Sequence, residues 1–243
     1  FKIIFSGAVK NQMTLDEIRQ SISNNTLKAP EKITQIASGI LNDNVNIPRP
    51  FQILCGSSPR LASLCDNAWG MFFNDTLNYL RSLPPEELME AKQGFQFGSA
   101  HWDWFTKTLS FNSESYLWFY LIIDDRVQGI CLICHPAGAK LKPGEIFYIE
   151  FIASAPWNTK NPLEPKRFSG IGTTLIQYMI EYSVNTLKLQ YGLNLHALRQ
   201  AEPFYEQKLG MTHLPDYDKT QDNGAVLKFY ELEEQVAKAL VTS

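Results

Sequence analysis

Apolar residues follow two different spacings along the chain, and the change falls near residue 116. Before it, they recur at helical spacing, and one such set, which follows a Gly-Ser-Ser-Pro turn, comprises Leu61, Leu64, Ala68 and Phe72. The spacing predicts a helix after Pro59 and two shorter helices, one from Pro84 and one over residues 101–109.

Two further helices are predicted near the start of the chain. Thr14 and Glu17 have the spacing of a capping box, in which each residue satisfies a free N–H group of the other, so a helix is expected over residues 14–24. A proline is favoured in the first turn of a helix, and Pro30 therefore predicts a second helix over residues 30–41.

A linker is predicted where the helical spacing stops. Residues 42–50 are rich in Asn and Pro, which favour turns and loops. We therefore expect a mostly helical N-terminal extension over residues 1–50 and a main domain over residues 51–243. The apolar stretch 1–9 lacks the basic leader of a signal peptide and is expected to be a strand or a tail.

From Tyr116 onward, short apolar runs alternate with turn residues, a pattern typical of strands. The predicted strands are 51–55, 116–123, 127–134, 146–155, 193–198, 211–216 and 225–232. Helices are predicted over 171–187, 201–209 and 231–240. Strands joined by turns should be antiparallel, and a strand–helix–strand unit should be a parallel crossover. The order predicts an α/β fold with a mixed, mainly antiparallel twisted sheet and helices on both faces.

Composition narrows the possible partners. The 243 residues are 44% hydrophobic and 19% charged, which supports a packed core. The formal net charge of −3 argues against nucleic acid or an anionic membrane as the partner. No apolar run reaches the roughly 18 residues that cross a bilayer. The 4 cysteines are too few and too unevenly placed for a disulfide scaffold, so a cytoplasmic location is expected.

The segment Arg-Phe-Ser-Gly-Ile-Gly at 167–172 lies between a predicted strand and a predicted helix and suits a phosphate group. Glycine lets backbone N–H groups approach an anion, and the helix start adds free donors and a positive dipole end. A Gly-x-Gly before a helix also occurs as a simple tight turn, and these residues alone leave both interpretations open. The Gly-Lys-Ser/Thr of a P-loop and the third glycine of the dinucleotide fingerprint are missing.

The same segment resembles the cofactor motif of the GNAT superfamily of N-acetyltransferases, in which Arg or Gln precedes Gly-x-Gly or Gly-x-Ala at a helix start. Arg167, Gly170 and Gly172 match that motif position by position. Residues 152–156 resemble the family's strand end before a proline, and residues 201–211 resemble its second motif of Ala, Tyr, Gly and a bulky apolar residue.

This resemblance covers roughly residues 51–232 and implies a GNAT-like fold with acetyl-CoA as co-substrate. The implied cofactor-binding residues are Ile152, Ala153, Ser154, Arg167, Phe168, Ser169, Gly170, Ile171, Gly172 and Thr173. Three features depart from the family pattern. Leu198 stands where many members have Asn, the interval from Tyr205 to Gly210 is one residue longer, and the loop 156–167 is longer.

Two side chains are candidates for catalysis. Glu150 lies in an apolar run, where burial should raise its pKa and suit it to act as a general base; the alternative is a solvated or ion-paired strand residue. The resemblance implies that Tyr205 protonates the departing thiolate, with buried packing as the alternative. Backbone N–H groups near 152–154 would polarise the thioester carbonyl. His196 is expected either to relay a proton or orient the substrate, or to be a hydrogen-bonded core histidine.

Two other sequence features carry less weight. Cys131-Leu-Ile-Cys134-His135 fits the spacing of covalent haem attachment, but strand residues three apart point to opposite faces. We therefore expect neither haem nor a bound metal, and interpret the cysteines as small buried hydrophobes. The aromatic cluster 101–105 is expected either to line an acceptor pocket or to pack in the core.

The leading hypothesis is therefore an enzyme, an acyltransferase that moves an acetyl group from acetyl-CoA directly to an amine in a ternary complex. The acceptor would be an amine-bearing small molecule or protein. The alternative is a non-catalytic acyl-CoA-binding or protein-interaction module with the same fold.

Overall fold

A computed structural model describes residues 13–29, 31–92, 95 and 98–242 of the chain. The helices are α1 (Leu15–Ser23), α2 (Pro59–Ser82), α3 (Pro85–Lys92), α4 (Trp104–Ser110), α5 (Ile171–Asn185) and α6 (Glu234–Thr242). The strands are β1 (Thr34–Asn42), β2 (Pro48–Cys55), β3 (Tyr116–Ile123), β4 (Arg126–Gly138), β5 (Glu145–Ser154), β6 (Leu193–Ala197), β7 (Thr212–His213), β8 (Lys219–Thr220) and β9 (Val226–Leu232). None of these helices is both long and apolar enough to cross a bilayer. The strand or tail expected over residues 1–9 lies outside the described residues.

The strands form one sheet in the order β1-β2-β3-β4-β5-β6-β9-β7, and β8 pairs with β9. Within the described ranges, β5 and β6 pair in parallel, and the other strand pairs are antiparallel. The helix α5 connects the two parallel strands. The predicted α/β fold with a mixed, mainly antiparallel sheet is therefore confirmed.

Helices cover both faces of this sheet, because successive residues of each strand point to opposite sides. On β3, Phe119 and Leu121 pack into a core with α5 and α6. Their neighbours Trp118 and Tyr120 pack into a second core with α2 and α4. All four side chains are buried, so the central strands are apolar on both faces.

The helix predicted over residues 30–41 is wrong, because residues 34–42 form β1. Pro30 itself, where the helix was expected to open, lies outside the described residues. Pairing with β2 outweighs local helix preference here, since propensity is a weak term beside tertiary contacts. Gly39 shows how close the strands' side chains come: a Cβ there would lie 2.6 Å from the Phe51 ring.

The linker predicted over residues 42–50 is correct only for residues 43–47, which form the turn between β1 and β2, because Asn42 ends β1 and residues 48–50 begin β2. The Asp43 carboxylate accepts hydrogen bonds from the backbone N–H groups of Val45 (3.0 Å) and Ile47 (2.9 Å). Asn and Asp side chains commonly fix turns in this way. The domain boundary predicted at residue 50 falls inside β2, which joins β1 to β3 within the sheet.

The helix predicted over residues 201–209 is a 3₁₀ turn at Arg199–Ala201 followed by a π-helical turn at Phe204–Lys208. A π turn holds one residue more than an α turn. It therefore accommodates the additional residue between Tyr205 and Gly210, the departure from the family pattern noted in the sequence.

The strand predicted over residues 211–216 is correct only for β7, because Pro215 opens a 3₁₀ turn that ends the strand. The short strand β8 follows that turn, and the sequence pattern does not predict it. β8 and β9 form a hairpin, which lies beside the C-terminal end of β6.

Gly129 of β4 lies directly beneath α5. A Cβ at this position would lie 2.6 Å from Ile171 Cγ2 and 2.7 Å from Leu175 Cδ1. We expect Gly129→Ala to lower the free energy of unfolding by about 1–3 kcal/mol through overpacking, as measured by denaturant unfolding. The matched control is Gly70→Ala within α2, where no atom lies within 4 Å of the new Cβ. Helix propensity should make that control about 0.5–1 kcal/mol more stable, and equal losses in both variants would contradict the packing role.

Candidate active site

The two parallel strands separate and leave a cleft between them. β5 and β6 pair at 3 positions, from Phe147↔Leu193 to Ile149↔Leu195. Beyond Ile149, β5 continues to Ser154 without a partner on that side. The cleft has a volume of about 820 Å³ and is lined by β5, the start of α5, the end of β6 and the turns that follow.

A β-bulge marks the point where the strands part. Leu132 of β4 pairs with Phe151, and the next residue, Ile133, pairs with Ile149. Glu150 is therefore the additional residue of β5 and has no partner on β4. A bulge bends its strand and redirects side chains, and Glu150 lines the cleft.

The free edge of β5 presents backbone donors to the cleft. Ala155 donates its N–H to the carbonyl of Gln128 on β4 at 2.8 Å. Residues of a strand face its two neighbours alternately, so Ala153 also faces β4, while Ile152 and Ser154 direct their N–H groups into the cleft. Two of the three predicted donor positions thus point toward a ligand in the cleft, and the third does not.

The N-terminus of α5 opens into the same cleft. Gly170 is its N-cap residue with φ 83°, and no side chain caps the helix. The N–H groups of Ile171, Gly172 and Thr173 lie in the first turn, where the helix itself provides no acceptor. A Cβ at Gly170 would meet no atom of the described residues within 4 Å, so the left-handed backbone, and not crowding among these residues, favours glycine here.

The charge of the cleft favours an anion. Its lining includes one carboxylate, Glu150, and four lysines: Lys160, Lys166, Lys208 and Lys219. None of these lysines forms an ion pair with another described residue. Four positive charges against one negative charge give the cleft a local excess of positive charge, although the whole chain carries −3.

Arg167 differs from the other predicted cofactor residues, because it does not line the cleft. Its guanidinium Nε donates to Glu164 Oε1 at 2.6 Å, and the guanidinium carbon Cζ lies 5.1 Å from the centroid of the Trp157 ring. Arg167 therefore holds the loop that leads to α5.

A buried hydrogen-bond network fixes this loop on β4, and the sequence analysis missed it. Gln128 Oε1 accepts hydrogen bonds from Trp157 Nε1 (2.8 Å) and from Asn158 Nδ2 (2.9 Å). Asn158 Oδ1 in turn accepts from the backbone N–H of Phe168 at 3.1 Å. The network sets the position of Phe168, two residues before Gly170. No local motif marks it, because Gln128 and Asn158 lie 30 residues apart.

Glu150 is half-buried at the bulge. Burial raises the pKa of its carboxyl group, and the positive charge of Lys219 partly opposes that shift. The raised pKa brings the carboxylate closer to the basicity that a general base needs near neutral pH. Lys219, on the unpredicted strand β8, has no signal in the sequence that would connect it with Glu150.

Tyr205 lies in the π-helical turn with its ring buried between Phe204 and Tyr230, whose ring centroids lie 5.3 Å and 6.2 Å from its own. Its hydroxyl has no hydrogen-bond partner among the described residues, and the side chain lines the cleft. Burial raises the pKa of this hydroxyl, and Cys131 nearby raises it further. The hydroxyl is therefore protonated at neutral pH, as a proton donor must be.

His196 lines the cleft at the open end of β6, so the hypothesis of a core histidine holds only in part. Both of its ring nitrogens are hydrogen-bonded, Nδ1 to the Tyr148 hydroxyl at 2.8 Å and Nε2 to the Tyr217 carbonyl at 2.9 Å. Tyr148 was not among the sequence candidates. The alternation of β5 offered a signal, since Tyr148 lies two residues before Glu150.

The remaining residues that the sequence singled out lie partly in the cleft lining and partly in the buried core. His101 and Trp102 line the cleft, whereas Trp104 and Phe105 are buried in the core, so the aromatic cluster 101–105 does both. Cys131 is buried beneath α5, and burial raises the pKa of its thiol. Within the described ranges, no three His, Cys, Asp or Glu residues lie close enough together to hold a metal.

Comparison with known proteins gives matches among solved structures alone. No family model and no curated protein matches this sequence. An uncharacterized protein from Bacillus halodurans matches at 10% identity over 86% of this chain and 96% of that chain, with a TM-score of 0.48. A putative acetyltransferase of the GNAT family from Desulfovibrio desulfuricans matches at 16% identity over 75% and 98% of the two chains, with a TM-score of 0.46. Mycobacterium smegmatis RimJ in complex with CoA-disulfide matches at 14% identity over 84% and 93%, with a TM-score of 0.45.

A putative GNAT-family acetyltransferase is thus among the solved structures to which this chain is similar. At these identities and TM-scores, the likeness leaves the function to be argued from the site itself.

Proposed function

We propose that this protein is an acyl-CoA-dependent N-acetyltransferase that transfers an acetyl group directly from acetyl-CoA to an amine. One observation carries the proposal. The free edge of β5 and the uncapped N-terminus of α5 open into one cleft, which contains a carboxylate with a raised pKa and four lysines that form no ion pair with a described residue.

The cleft suits the chemistry of acetyl-CoA along its length. The pyrophosphate would accept hydrogen bonds from the first-turn N–H groups of α5, as anions commonly do at helix N-termini, with Lys160 and Lys166 nearby. The amide-bearing arm would lie along the free edge of β5 and pair with one of the two cleft-facing N–H groups, Ile152 or Ser154, as an added strand does. The other N–H group remains for the thioester carbonyl. Neither contact requires a side chain at the position of Leu198, where many GNAT members have Asn.

Acetyl-CoA supplies the thioester whose carbonyl the amine attacks. Glu150 removes a proton from the incoming ammonium, which makes its nitrogen nucleophilic. A backbone N–H of the free edge, at Ile152 or Ser154, donates to the carbonyl oxygen as negative charge develops there. Tyr205 donates its proton to the departing sulfur.

Glu150→Gln tests the role of the base. We expect turnover to fall most near neutral pH and to recover partly at high pH, where more of the amine is already neutral. In the wild type, the raised pKa should move the part of the acid limb of kcat that Glu150 causes to higher pH than that of an ordinary carboxylate, and the variant should lack this part. Wild-type turnover and pH dependence in Glu150→Gln would contradict the role.

The same raised pKa predicts the direction of a stability difference. A folded protein with a raised carboxyl pKa binds more protons than the unfolded chain above the carboxyl's ordinary pKa. Stability of the wild type relative to Glu150→Gln should therefore be greatest at acid pH. It should decrease as the pH rises from the ordinary pKa of a carboxyl group to the raised pKa of Glu150 in the folded protein. Denaturant unfolding at several pH values measures this difference.

Release of CoA thiol from acetyl-CoA, measured against a panel of amines, tests the proposal as a whole. We expect release that depends on both the amine and the protein, with the acetylated amine identified by mass spectrometry. Tight CoA binding without turnover of any amine would favour the non-catalytic acyl-CoA-binding module.

A further inference from the structure

The hydrogen bond between Tyr148 and His196 crosses the point where β5 and β6 separate. Tyr148 belongs to the paired part of β5, opposite Asn194, and His196 follows two residues later on β6. Both side chains line the cleft beside Glu150. The proposed roles of Glu150 and Tyr205 do not use this pair.

The contacts of His196 define which of its nitrogens carries the proton. The Tyr217 carbonyl oxygen can only accept, so Nε2, which lies 2.9 Å away, must be the donor. In the neutral ring, Nδ1 is then an acceptor, and the Tyr148 hydroxyl 2.8 Å away donates to it. The Tyr148 oxygen keeps lone pairs for a donor in the cleft.

Charged and titratable groups surround the pair on several elements. Burial lowers the pKa of His196 and Lys219 of β8 lowers it further, while the Tyr217 carbonyl and Asp218 raise it. Burial raises the pKa of Tyr148, and Glu150 and Cys134 of β4 add to the rise, whereas His196 opposes it. The net result is a neutral imidazole that accepts a hydrogen bond from a neutral tyrosine.

Acetylation of an ammonium requires two proton losses from the same nitrogen. One occurs before the attack and makes the lone pair available, and the second accompanies formation of the N–C bond. Glu150 takes the first proton in the proposed function and is then already protonated. A second acceptor is therefore needed within reach of the same nitrogen.

We propose that Tyr148 is that second acceptor, a catalytic residue, and that His196 is the positioning residue that receives the proton from it. This inference rests on the proposed acetyltransferase function. As the N–C bond forms and the C–S bond breaks, the amine gives its proton to Tyr148 Oη. Tyr148 gives its own proton to His196 Nδ1, and Tyr205 protonates the sulfur. His196 then carries protons on both nitrogens and keeps its bond to Tyr217. After product release, His196 and Glu150 each return one proton to solvent and Tyr205 regains one, so each acetyl transfer releases one proton overall.

Two variants separate proton transfer from simple positioning. Tyr148→Phe removes the relaying hydroxyl and keeps the ring. His196→Gln leaves an amide oxygen that can accept the Tyr148 hydrogen bond, but an amide cannot take the proton. We expect each to lower kcat about 10²-fold or more, with the acetyl-CoA KM unchanged, and the double variant to lose no more than either single one.

The pH profile gives a readout that a structural role would not change. Protonation of His196 should lower kcat of the wild type at acid pH, and His196→Gln should lack that part of the profile. Tyr116→Phe is the matched control, because Tyr116 lies in register with Cys134 on the same sheet and does not line the cleft. It should retain wild-type kcat.

Each other outcome overturns the relay. A wild-type kcat in Tyr148→Phe or His196→Gln would contradict it. A loss of kcat in Tyr116→Phe equal to that in Tyr148→Phe would also contradict it, as would a loss that affects acetyl-CoA binding and not kcat. In those cases the wild type still acetylates amines, and the proposed function stands. A wild type that turns over no amine would instead overturn both.

Discussion

Replacement of Gly170 by Glu should abolish measurable acetyl-CoA binding while the protein remains folded. Gly170 lines the cleft as the N-cap residue of α5, and a Cβ there would meet no atom of the described residues within 4 Å. A glutamate would extend into that space and repel a pyrophosphate. We expect the affinity to fall at least about 100-fold, or about 2.7 kcal/mol, by calorimetric titration.

Gly224→Glu is the matched control for this variant. Gly224 has φ +80° against +83° for Gly170, and it too has no atom within 4 Å of a new Cβ. Both variants therefore carry the same charge and a similar backbone strain of about 1–2 kcal/mol, but Gly224 does not line the cleft. The control should bind acetyl-CoA like the wild type. Unchanged affinity in folded Gly170→Glu would show that the phosphates lie elsewhere.

Loss of the Tyr205 hydroxyl should slow the chemical step strongly. Tyr205→Phe keeps the buried ring and removes the proton donor, and loss of a general acid typically costs about 10²–10⁴ in rate. The raised pKa of Tyr205 makes it a weak acid. Burial also raises the pKa of the CoA thiol, which leaves into the same buried surroundings. The pKa values of the tyrosine hydroxyl and of the thiol are therefore raised together. Single-turnover rates at saturating substrate measure the effect.

Stability should distinguish this loss from misfolding. The Tyr205 hydroxyl has no partner among the described residues, so its removal should leave the thermal midpoint nearly unchanged. Tyr178→Phe is the control, because Tyr178 lies on α5 outside the cleft and its hydroxyl donates to the Ser38 carbonyl at 3.4 Å. It should retain full activity. A wild-type rate in Tyr205→Phe, where chemistry limits turnover, would assign the proton to water or to the substrate.

The parts of the fold that local patterns determine could be predicted from the sequence. The capping box of Thr14 and Glu17 is present at the start of α1, and the apolar runs 116–123 and 146–155 are strands. Gly170 is the N-cap residue of α5, as its motif indicates. Its backbone is left-handed, a conformation that glycine adopts without strain.

Features that depend on distant partners could not be predicted. β1 is a strand because β2 pairs with it, and this pairing joins residues that the local pattern of 34–42 does not connect. Arg167 turns to Glu164 and Trp157, an arrangement that depends on how the long loop folds back. The partners Tyr148 and His196 are 48 residues apart, so their contact follows from the parallel pairing of β5 and β6 and not from any motif.

Hydrogen–deuterium exchange with and without CoA tests most directly whether the cleft between β5 and β6 is the acyl-CoA site. The amides of Ile152, Ser154 and residues 171–173 lack strand or helix partners and should exchange rapidly in the free protein. CoA should slow exchange at both segments together and leave the β1–β2 hairpin unchanged. Protection at another surface, or none at these amides while CoA is bound, would contradict the assignment.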